Sequence, residues 1–132
     1  MSPAPIEIAV ALLSRPDGRT LVVRKRGTTT FIQPGGKLEP GELPVDALLR
    51  ELEEELGLRI VPGDLRFVGS YGGPAVNEPG TVVAHAFRIA VDAVMSAAAE
   101  IEELAWIDPA EPGDIVLAPL TRDTFLPLLG QT

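Results

Sequence analysis

The strongest constraint on the fold is an amphipathic helix that the sequence predicts over residues 45–56. Pro44 suits the first turn, because its missing N–H would have no helical partner there, and Gly57 stands where a left-handed cap belongs. Apolar residues recur at helical spacing, so one face must be buried against other elements. The predicted apolar stripe comprises Val45, Leu48, Leu49, Leu52 and Leu56.

The same helix carries a row of carboxylates beside its apolar stripe. At about 100° per residue, Glu51, Glu54 and Glu55 fall within an arc of roughly 100°. Like charges at these spacings destabilise a helix, and carboxylates held together either raise one another's pKa or bind a cation. Oxygen ligands on a helix suit Mg²⁺ or Mn²⁺. The alternative is an ordinary solvated acidic face.

Composition narrows the chemistry that this chain can perform. There is no cysteine and only one histidine, His85, which excludes thiol catalysis, cysteine-ligated metals and any pair of histidine ligands. The net charge of -8 opposes binding to duplex nucleic acid. A phosphorylated ligand would need a divalent cation to bridge like charges, and the cation's ligands would be oxygens.

Around the helix, alternation and turn residues predict a mixed α/β pattern. Strands are predicted at 6–13, 20–26, 65–71, 82–91 and 104–107, and loops at 33–36, 72–80 and 97–103. A closing helix is predicted at 121–129, with Thr121 as its N-cap. No repeat or linker interrupts the pattern, which predicts one domain over residues 1–132.

The loop before the helix favours a cation site over a solvated acidic face for this row of carboxylates. Gly35 and Gly36 allow the backbone to approach a ligand closely, and Lys37 stands ready for a phosphate. From residue 36 to residue 58 the chain resembles the Nudix box without departure, at Gly36, Glu42, Arg50, Glu51, Leu52, Glu54, Glu55, Gly57 and Leu58. The chain is therefore similar to the Nudix hydrolases.

The resemblance implies an α/β/α sandwich around a mixed β-sheet. It also implies hydrolysis of the diphosphate linkage in a small nucleoside diphosphate derivative, by water attack on phosphorus. A nucleoside triphosphate, ADP-ribose or a nucleotide sugar would fit that class. The alternative is a Nudix-fold sensor that binds a nucleotide without cleaving it, but sensors commonly lack a metal-binding glutamate and none is missing here.

The resemblance also assigns roles to the residues of the motif. Glu51, Glu54 and Glu55 would hold the divalent cation, with the carbonyl of Gly35 as a further ligand. Arg50 would orient a glutamate by a charge-assisted hydrogen bond, with Glu42 in support. The general base would be Glu54 or an acid of a later loop: Glu103 is preferred, and Glu100, Glu102 and Glu78 are alternatives.

Substrate contacts are expected outside the motif as well as at Lys37. Arg24 and Arg26 share one face of a predicted strand and could hold phosphates, although ordinary surface charges would look the same. Gln33 and Phe31 are expected to line the pocket for the base or the sugar.

The remaining expectations concern the surroundings of the protein. No basic N-terminal region precedes an apolar run and no segment approaches the length of a membrane span, so we expect no membrane contact. The absence of cysteine fits the cytoplasm. The expected partner is a small nucleotide, and the family resemblance also allows a homodimer.

Overall fold

The computed structural model describes residues 4–130 and has a mixed α/β architecture. Its strands are β1 (Ile6–Ser14), β2 (Thr20–Lys25), β3 (Phe31–Ile32), β4 (Gly35–Lys37), β5 (Arg66–Pro74), β6 (Thr81–Ala90) and β7 (Ile101–Ile107). The helices are α1 (Pro44–Leu56) and the short α2 (Leu126–Leu129). A 3₁₀ turn at Pro62–Asp64 precedes β5, and a π-helical turn at Thr121–Phe125 leads into α2.

The strands form one mixed sheet around β1. The strand order is β3-β2-β1-β6-β5, with β4 also paired to β1 and β7 paired to β2. Strand β1 runs parallel to β6 along its whole length, and it pairs with β2 and β4 in antiparallel fashion. The mixed sheet that the sequence predicts is therefore confirmed.

Helical layers cover both faces of the sheet. Ala11 and Leu13 of β1 belong to the same buried cluster as Leu52 of α1. Leu12, which points to the opposite face, packs in the cluster that contains Phe125 of the π-helical turn. Successive strand residues face opposite sides, so β1 must be apolar throughout its buried part. This arrangement confirms the predicted α/β/α sandwich.

The predicted helix is confirmed with small adjustments. It begins at Pro44 and ends before Gly57, whose φ of 66° gives the left-handed cap that the sequence predicts. Its buried apolar face comprises Ala47, Leu48, Leu52 and Leu56. Leu49, which the spacing assigns to the stripe, is only half-buried, and the smaller Ala47 takes its place in the core.

Three predicted loops are partly wrong because partner strands extend the chain there. Gly35 and Gly36, predicted as loop, pair with Val10 and Ala9 of β1. Strand β5 continues through the predicted loop at 72–80 as far as Pro74, which lies opposite Thr81. Glycine and proline usually mark turns, but a neighbouring strand can hold them in extended conformation.

The third correction concerns the predicted loop at 97–103. Strand β7 begins at Ile101, so Glu102 and Glu103 lie in a strand instead of a loop. Glu103 pairs with Arg24 of β2, and Glu102 pairs with Arg26, which follows β2 directly. This pairing across strands accounts for a run of acidic residues inside a sheet.

The closing helix lies where the sequence predicts it, but Thr121 is not its N-cap. The Thr121 side chain is buried and donates a hydrogen bond of 2.6 Å to Oε1 of Gln33. No side-chain cap closes the π-helical turn that begins at this residue. Thr121 therefore links the last helical layer to the loop that leads into β4.

The domain predicted over residues 1–132 includes 1–3 and 131–132, which lie outside the described residues, so its full extent stays a prediction. No helix within residues 4–130 combines the length and the apolar character that crossing a membrane requires.

The close pairing of β4 with β1 gives a test of the fold. Gly35 has a φ of 141°, and a Cβ there would collide with the carbonyl oxygen of Ala9. Gly41 also has a positive φ, of 76°, but nothing lies within 4 Å of a Cβ added to it. We expect Gly35→Ala to lower the free energy of unfolding by about 1–3 kcal/mol more than Gly41→Ala. Urea unfolding of both variants measures the difference, and equal losses would contradict the pairing.

Candidate active site

Helix α1 packs against β4, and the carboxylate of Glu51 lies directly over Gly36. A Cβ added to Gly36 would lie 2.6 Å from Cδ of Glu51, so a side chain there would displace that carboxylate. The backbone N–H of Gly35 donates a hydrogen bond of 3.0 Å to Oε1 of Glu55. The site is therefore built from a glycine strand and the carboxylates that contact it.

Glu55 is the most unusual residue of this site. Its side chain is buried, with the residue 1% exposed, and its Oε2 has no hydrogen-bond partner within the described part of the chain. Burial raises the pKa of Glu55 to about 8, against the opposing hydrogen bond from Gly35 and with some help from the nearby charge of Glu51. A buried carboxylate oxygen without a partner fits the donor set of an oxygen-preferring cation.

Arg50 organises the carboxylates that lie towards the N-terminus of α1. Its guanidinium donates to both oxygens of Glu42, at 2.8 and 3.0 Å, and to Oε1 of Glu51 at 2.9 Å. It also reaches the carbonyl oxygen of Lys37 at 3.2 Å. The two hydrogen bonds to Glu42 form the bidentate geometry in which arginine binds a carboxylate most strongly. Arg50 therefore ties α1 to the chain on both sides of the turn that precedes it.

The two carboxylates that contact Arg50 respond differently to their surroundings. The hydrogen bonds from Arg50, assisted by the backbone N–H of Glu39, lower the pKa of Glu42 to about 2. Burial raises the pKa of Glu51, although the hydrogen bond from Arg50 opposes this. Glu42 is thus a fixed negative charge, whereas Glu51 is a partly desolvated carboxylate next to the glycines.

Glu54 differs from the other two predicted metal ligands. It is exposed, and its Oε2 lies 3.7 Å from Nη1 of Arg50. Among residues 4–130, no three carboxylate or histidine side chains are already gathered in a group that could hold a metal ion. Glu51, Glu54 and Glu55 share the predicted edge of α1, but only Glu51 and Glu55 turn towards β4. Their role as metal ligands stays a prediction.

The predicted phosphate-binding arginines point away from this site. Arg24 in β2 donates to Glu103 at 3.1 Å, and Arg26, one residue beyond β2, donates to Glu102 at 3.3 Å; both acceptors lie in β7. Neither arginine lines the pocket beside β4, as far as residues 4–130 show. Glu103, the preferred late candidate for the general base, is therefore engaged by Arg24.

Lys25 is a site residue that the sequence analysis missed. It lies on the opposite side of β2 from Arg24 and Arg26, lines the pocket beside β4 and pairs with Glu100 at 3.2 Å. Its charge opposes the raised pKa of Glu55. The period of two along a strand was the available signal, since it puts Lys25 and its neighbours on opposite faces.

A pocket of about 120 Å³ adjoins the glycine strand. Its walls are mainly apolar and include Ile8, Val10, Val82, Leu120 and Phe125, while Gln33 and Thr121 are polar lining residues. Lys37 also lines it and pairs with Glu78 at 2.9 Å. Phe31, predicted to line the substrate pocket, is instead buried in the core with Val22 and Leu117.

Fold and site together define an α/β/α domain that places glutamates over a glycine strand, next to an apolar pocket. Comparison with known proteins agrees with this class. The NUDIX domain family model matches residues 5–129. The chain therefore belongs to the Nudix family.

Curated relatives show the range of proteins in which such a domain occurs. The chain is 32% identical over 120 residues to the CTP pyrophosphohydrolase of Escherichia coli, covering 86% of this chain and 84% of that protein. It is 37% identical over 89 residues to the putative 8-oxo-dGTP diphosphatase 2 of Mycobacterium tuberculosis, covering 67% and 61%. It is also 36% identical over 107 residues to an octanoyltransferase of Myxococcus xanthus, covering 78% of this chain but only 30% of that protein.

Solved structures show the same fold. The MutT NUDIX hydrolase of Burkholderia pseudomallei superposes with a TM-score of 0.79 at 21% identity, covering 95% of this chain and 98% of that chain. The ORF135 protein of E. coli superposes with a TM-score of 0.69 at 31% identity, covering 94% and 85%.

The raised pKa of Glu55 predicts how stability depends on pH without metal. Folding raises this pKa from the ordinary 4.5 to about 8, so the folded protein binds an extra proton between these pH values. The free energy of unfolding should therefore fall by on the order of a few kcal/mol as the pH rises from 4.5 to 8. Burial of Glu51 acts in the same direction, whereas the lowered pKa of Glu42 acts below this window.

Urea unfolding at pH 5 and pH 8 in the presence of a chelator measures this slope. Glu55→Gln keeps the oxygen that accepts from Gly35 and removes the charge, so it should flatten most of the slope and stabilise the metal-free protein at pH 8. An unchanged slope in Glu55→Gln would contradict the assignment.

Proposed function

We propose that this chain is a hydrolase that requires Mg²⁺ or Mn²⁺ and cleaves the diphosphate linkage of a small nucleoside diphosphate derivative by water attack on phosphorus. The observation that carries the proposal is the buried, unpartnered Oε2 of Glu55, next to Glu51 and the glycine strand. An apolar core gains no stability from such an oxygen, whereas a divalent cation would satisfy it.

Glu51, Glu54 and Glu55 would hold the cation, with the carbonyl of Gly35 as a further ligand. When bound, a divalent cation neutralises phosphate charge and lowers the pKa of a water molecule. Arg50 keeps Glu51 in place through its hydrogen bond of 2.9 Å. The contribution of Arg50 is thus to orient carboxylates of the site through its guanidinium group.

The proton from the attacking water needs a carboxylate that is free to accept it. Glu54 is our first choice, since it is exposed and lies one turn from Arg50 without a short contact to it. Glu103 remains the late alternative and would have to leave its ion pair with Arg24. Glu100 is a second late alternative, because it lies near enough to Glu55 for its charge to raise the pKa of that carboxyl.

For the substrate we propose a small nucleotide whose base enters the apolar pocket and whose phosphates face the glutamates. Lys25 and Lys37 line the pocket and would contact the phosphates. Arg24 and Arg26 could join them only after leaving Glu103 and Glu102. The names of the curated relatives favour nucleoside triphosphates within this class.

A substrate panel tests this proposal directly. Nucleoside triphosphates, nucleotide sugars, ADP-ribose and dinucleoside polyphosphates are incubated with the protein, with and without Mg²⁺, and the products are separated by chromatography. We expect release of nucleotide from at least one class that depends on the metal. Binding of nucleotides without any turnover would instead support a non-catalytic sensor.

A pair of variants tests the role of Glu54. Glu54→Gln should lower kcat by roughly a hundredfold or more, because it removes a carboxylate that would hold the metal or accept the proton. Glu53→Gln is the matched control, since Glu53 is exposed and pairs with Arg59 at 3.1 Å. Circular dichroism checks the fold of both variants. Equal activity in the two variants would contradict the assignment of Glu54.

A further inference from the structure

Gln33 has an unusual environment between β3 and β4. The residue is 3% exposed and lines the apolar pocket. Its Oε1 accepts a hydrogen bond of 2.6 Å from Thr121, whereas its Nε2 has no hydrogen-bond partner in the described structure. One end of the amide is therefore fixed by the protein, and the other end is left for something else.

The fold accounts for the oxygen of this amide, which accepts from the buried Thr121, but not for its nitrogen. A buried N–H group without a partner destabilises the folded state. Neither the glutamates nor the lysines of the site contact the Gln33 side chain by a hydrogen bond, as far as residues 4–130 show. The unused donor thus points to a ligand that enters the pocket.

We propose that Nε2 of Gln33 donates a hydrogen bond to a carbonyl oxygen of the substrate's nucleobase, and that Thr121 holds the amide in the orientation that presents this donor. Gln33 is then a specificity-determining residue, and Thr121 is a positioning residue that acts through it. This inference rests on the proposed function, because it assumes that a nucleotide base occupies the pocket.

The bases differ in their hydrogen-bond donors and acceptors, so this contact would favour some bases over others. Guanine presents two neighbouring acceptors, O6 and N7, and uracil presents a carbonyl oxygen, so both can accept from an amide N–H. Adenine presents its amino group beside N7, and an amide pairs with that edge by offering its oxygen and its nitrogen together. The hydrogen bond from Thr121 takes one of the two lone pairs of Oε1 and holds the amide with Nε2 as its free group. A carbonyl acceptor of guanine or uracil therefore suits the site better than the paired edge of adenine.

The position of Gln33 in the chain agrees with this role. It stands two residues before Gly35, so a base held by Gln33 leaves its phosphates beside the glycine strand and the glutamates of α1. Lys25 and Lys37 line the same pocket and supply positive charge between the two ends. One short stretch of chain thus connects base recognition to the proposed site of cleavage.

Binding of nucleoside monophosphates without metal tests the preference separately from catalysis. Isothermal titration calorimetry with GMP, UMP and AMP measures the three dissociation constants. Those of GMP and UMP should be at least about tenfold lower than that of AMP. Gln33→Met keeps the length and the apolar contacts of the side chain, and it should bring the three affinities together. Equal affinities in the wild-type protein, or no binding of any of the three, would overturn the inference.

Thr121→Val provides a second and sharper variant. Removing the hydroxyl frees Oε1 of Gln33, so the amide can turn and offer an acceptor to adenine, and the affinity for AMP should rise relative to GMP. Thr20→Val is the matched control, since Thr20 is also buried, donates to the carbonyl oxygen of Leu13 at 2.7 Å and does not line the pocket. An unchanged preference in Thr121→Val, or the same change in Thr20→Val, would contradict the role of Thr121.

The substrate panel separates the failure of this inference from the failure of the proposed function. The ratio of kcat/KM for GTP and UTP to that for ATP should follow the binding preference and fall to about one in Gln33→Met. Turnover of ATP and GTP at equal kcat/KM would overturn base recognition and leave the hydrolase intact. Selective binding of GMP without turnover of any compound would overturn the hydrolase and leave base recognition standing.

Discussion

The close packing of β4 against both β1 and α1 is the feature on which the rest of the structure depends. Gly35 lies against the carbonyl oxygen of Ala9 in β1, and Gly36 lies against the carboxylate of Glu51 in α1. A side chain at Gly35 would disrupt the pairing of β4 with β1, and one at Gly36 would displace the carboxylate of Glu51. With glycines there, the carboxylates of α1 lie on the backbone, and the domain gains a desolvated acidic site at the edge of its core.

The packing against β4 places two carboxylates of α1 where their charged forms are destabilised. The buried Glu55 and the half-buried Glu51 keep raised pKa values because burial disfavours their charged forms. Arg50 compensates on one side only, through Glu42 and Glu51. Oε2 of Glu55 has no hydrogen-bond partner within residues 4–130, so a cation bound there would stabilise the protein most.

The segment from Gln33 to Lys37 joins the two halves of the site. Gln33 and Thr121 provide a polar contact at the pocket, and in the proposed function the glycines and Lys37 would lie beside the phosphates of the substrate. The net charge of -8 is therefore compatible with a phosphorylated substrate. The acidity is concentrated where a divalent cation can reverse its effect.

Local features of this fold could be predicted from the sequence, whereas features that depend on partner strands could not. The start of α1 at Pro44 and its cap at Gly57 depend on neighbouring residues, so the sequence predicts both. The extended conformation of Gly35 and the start of β7 at Ile101 depend on strands distant in sequence. Gln33, which the sequence predicts as a substrate contact, lines the pocket, but its role stays a prediction. The hydrogen bond from Thr121 and the orientation of Lys25 also depend on distant parts of the chain, so the sequence predicted neither. The central claim, that Glu51, Glu54 and Glu55 form a divalent-cation site, is tested most directly by calorimetric titration of the protein with Mn²⁺ in buffers of different ionisation enthalpy. At pH 7 we predict saturable binding accompanied by proton release, since Glu55 must lose its proton to bind a cation, and loss of that release at pH 9. The absence of saturable binding, or binding without proton release at pH 7, would contradict the account.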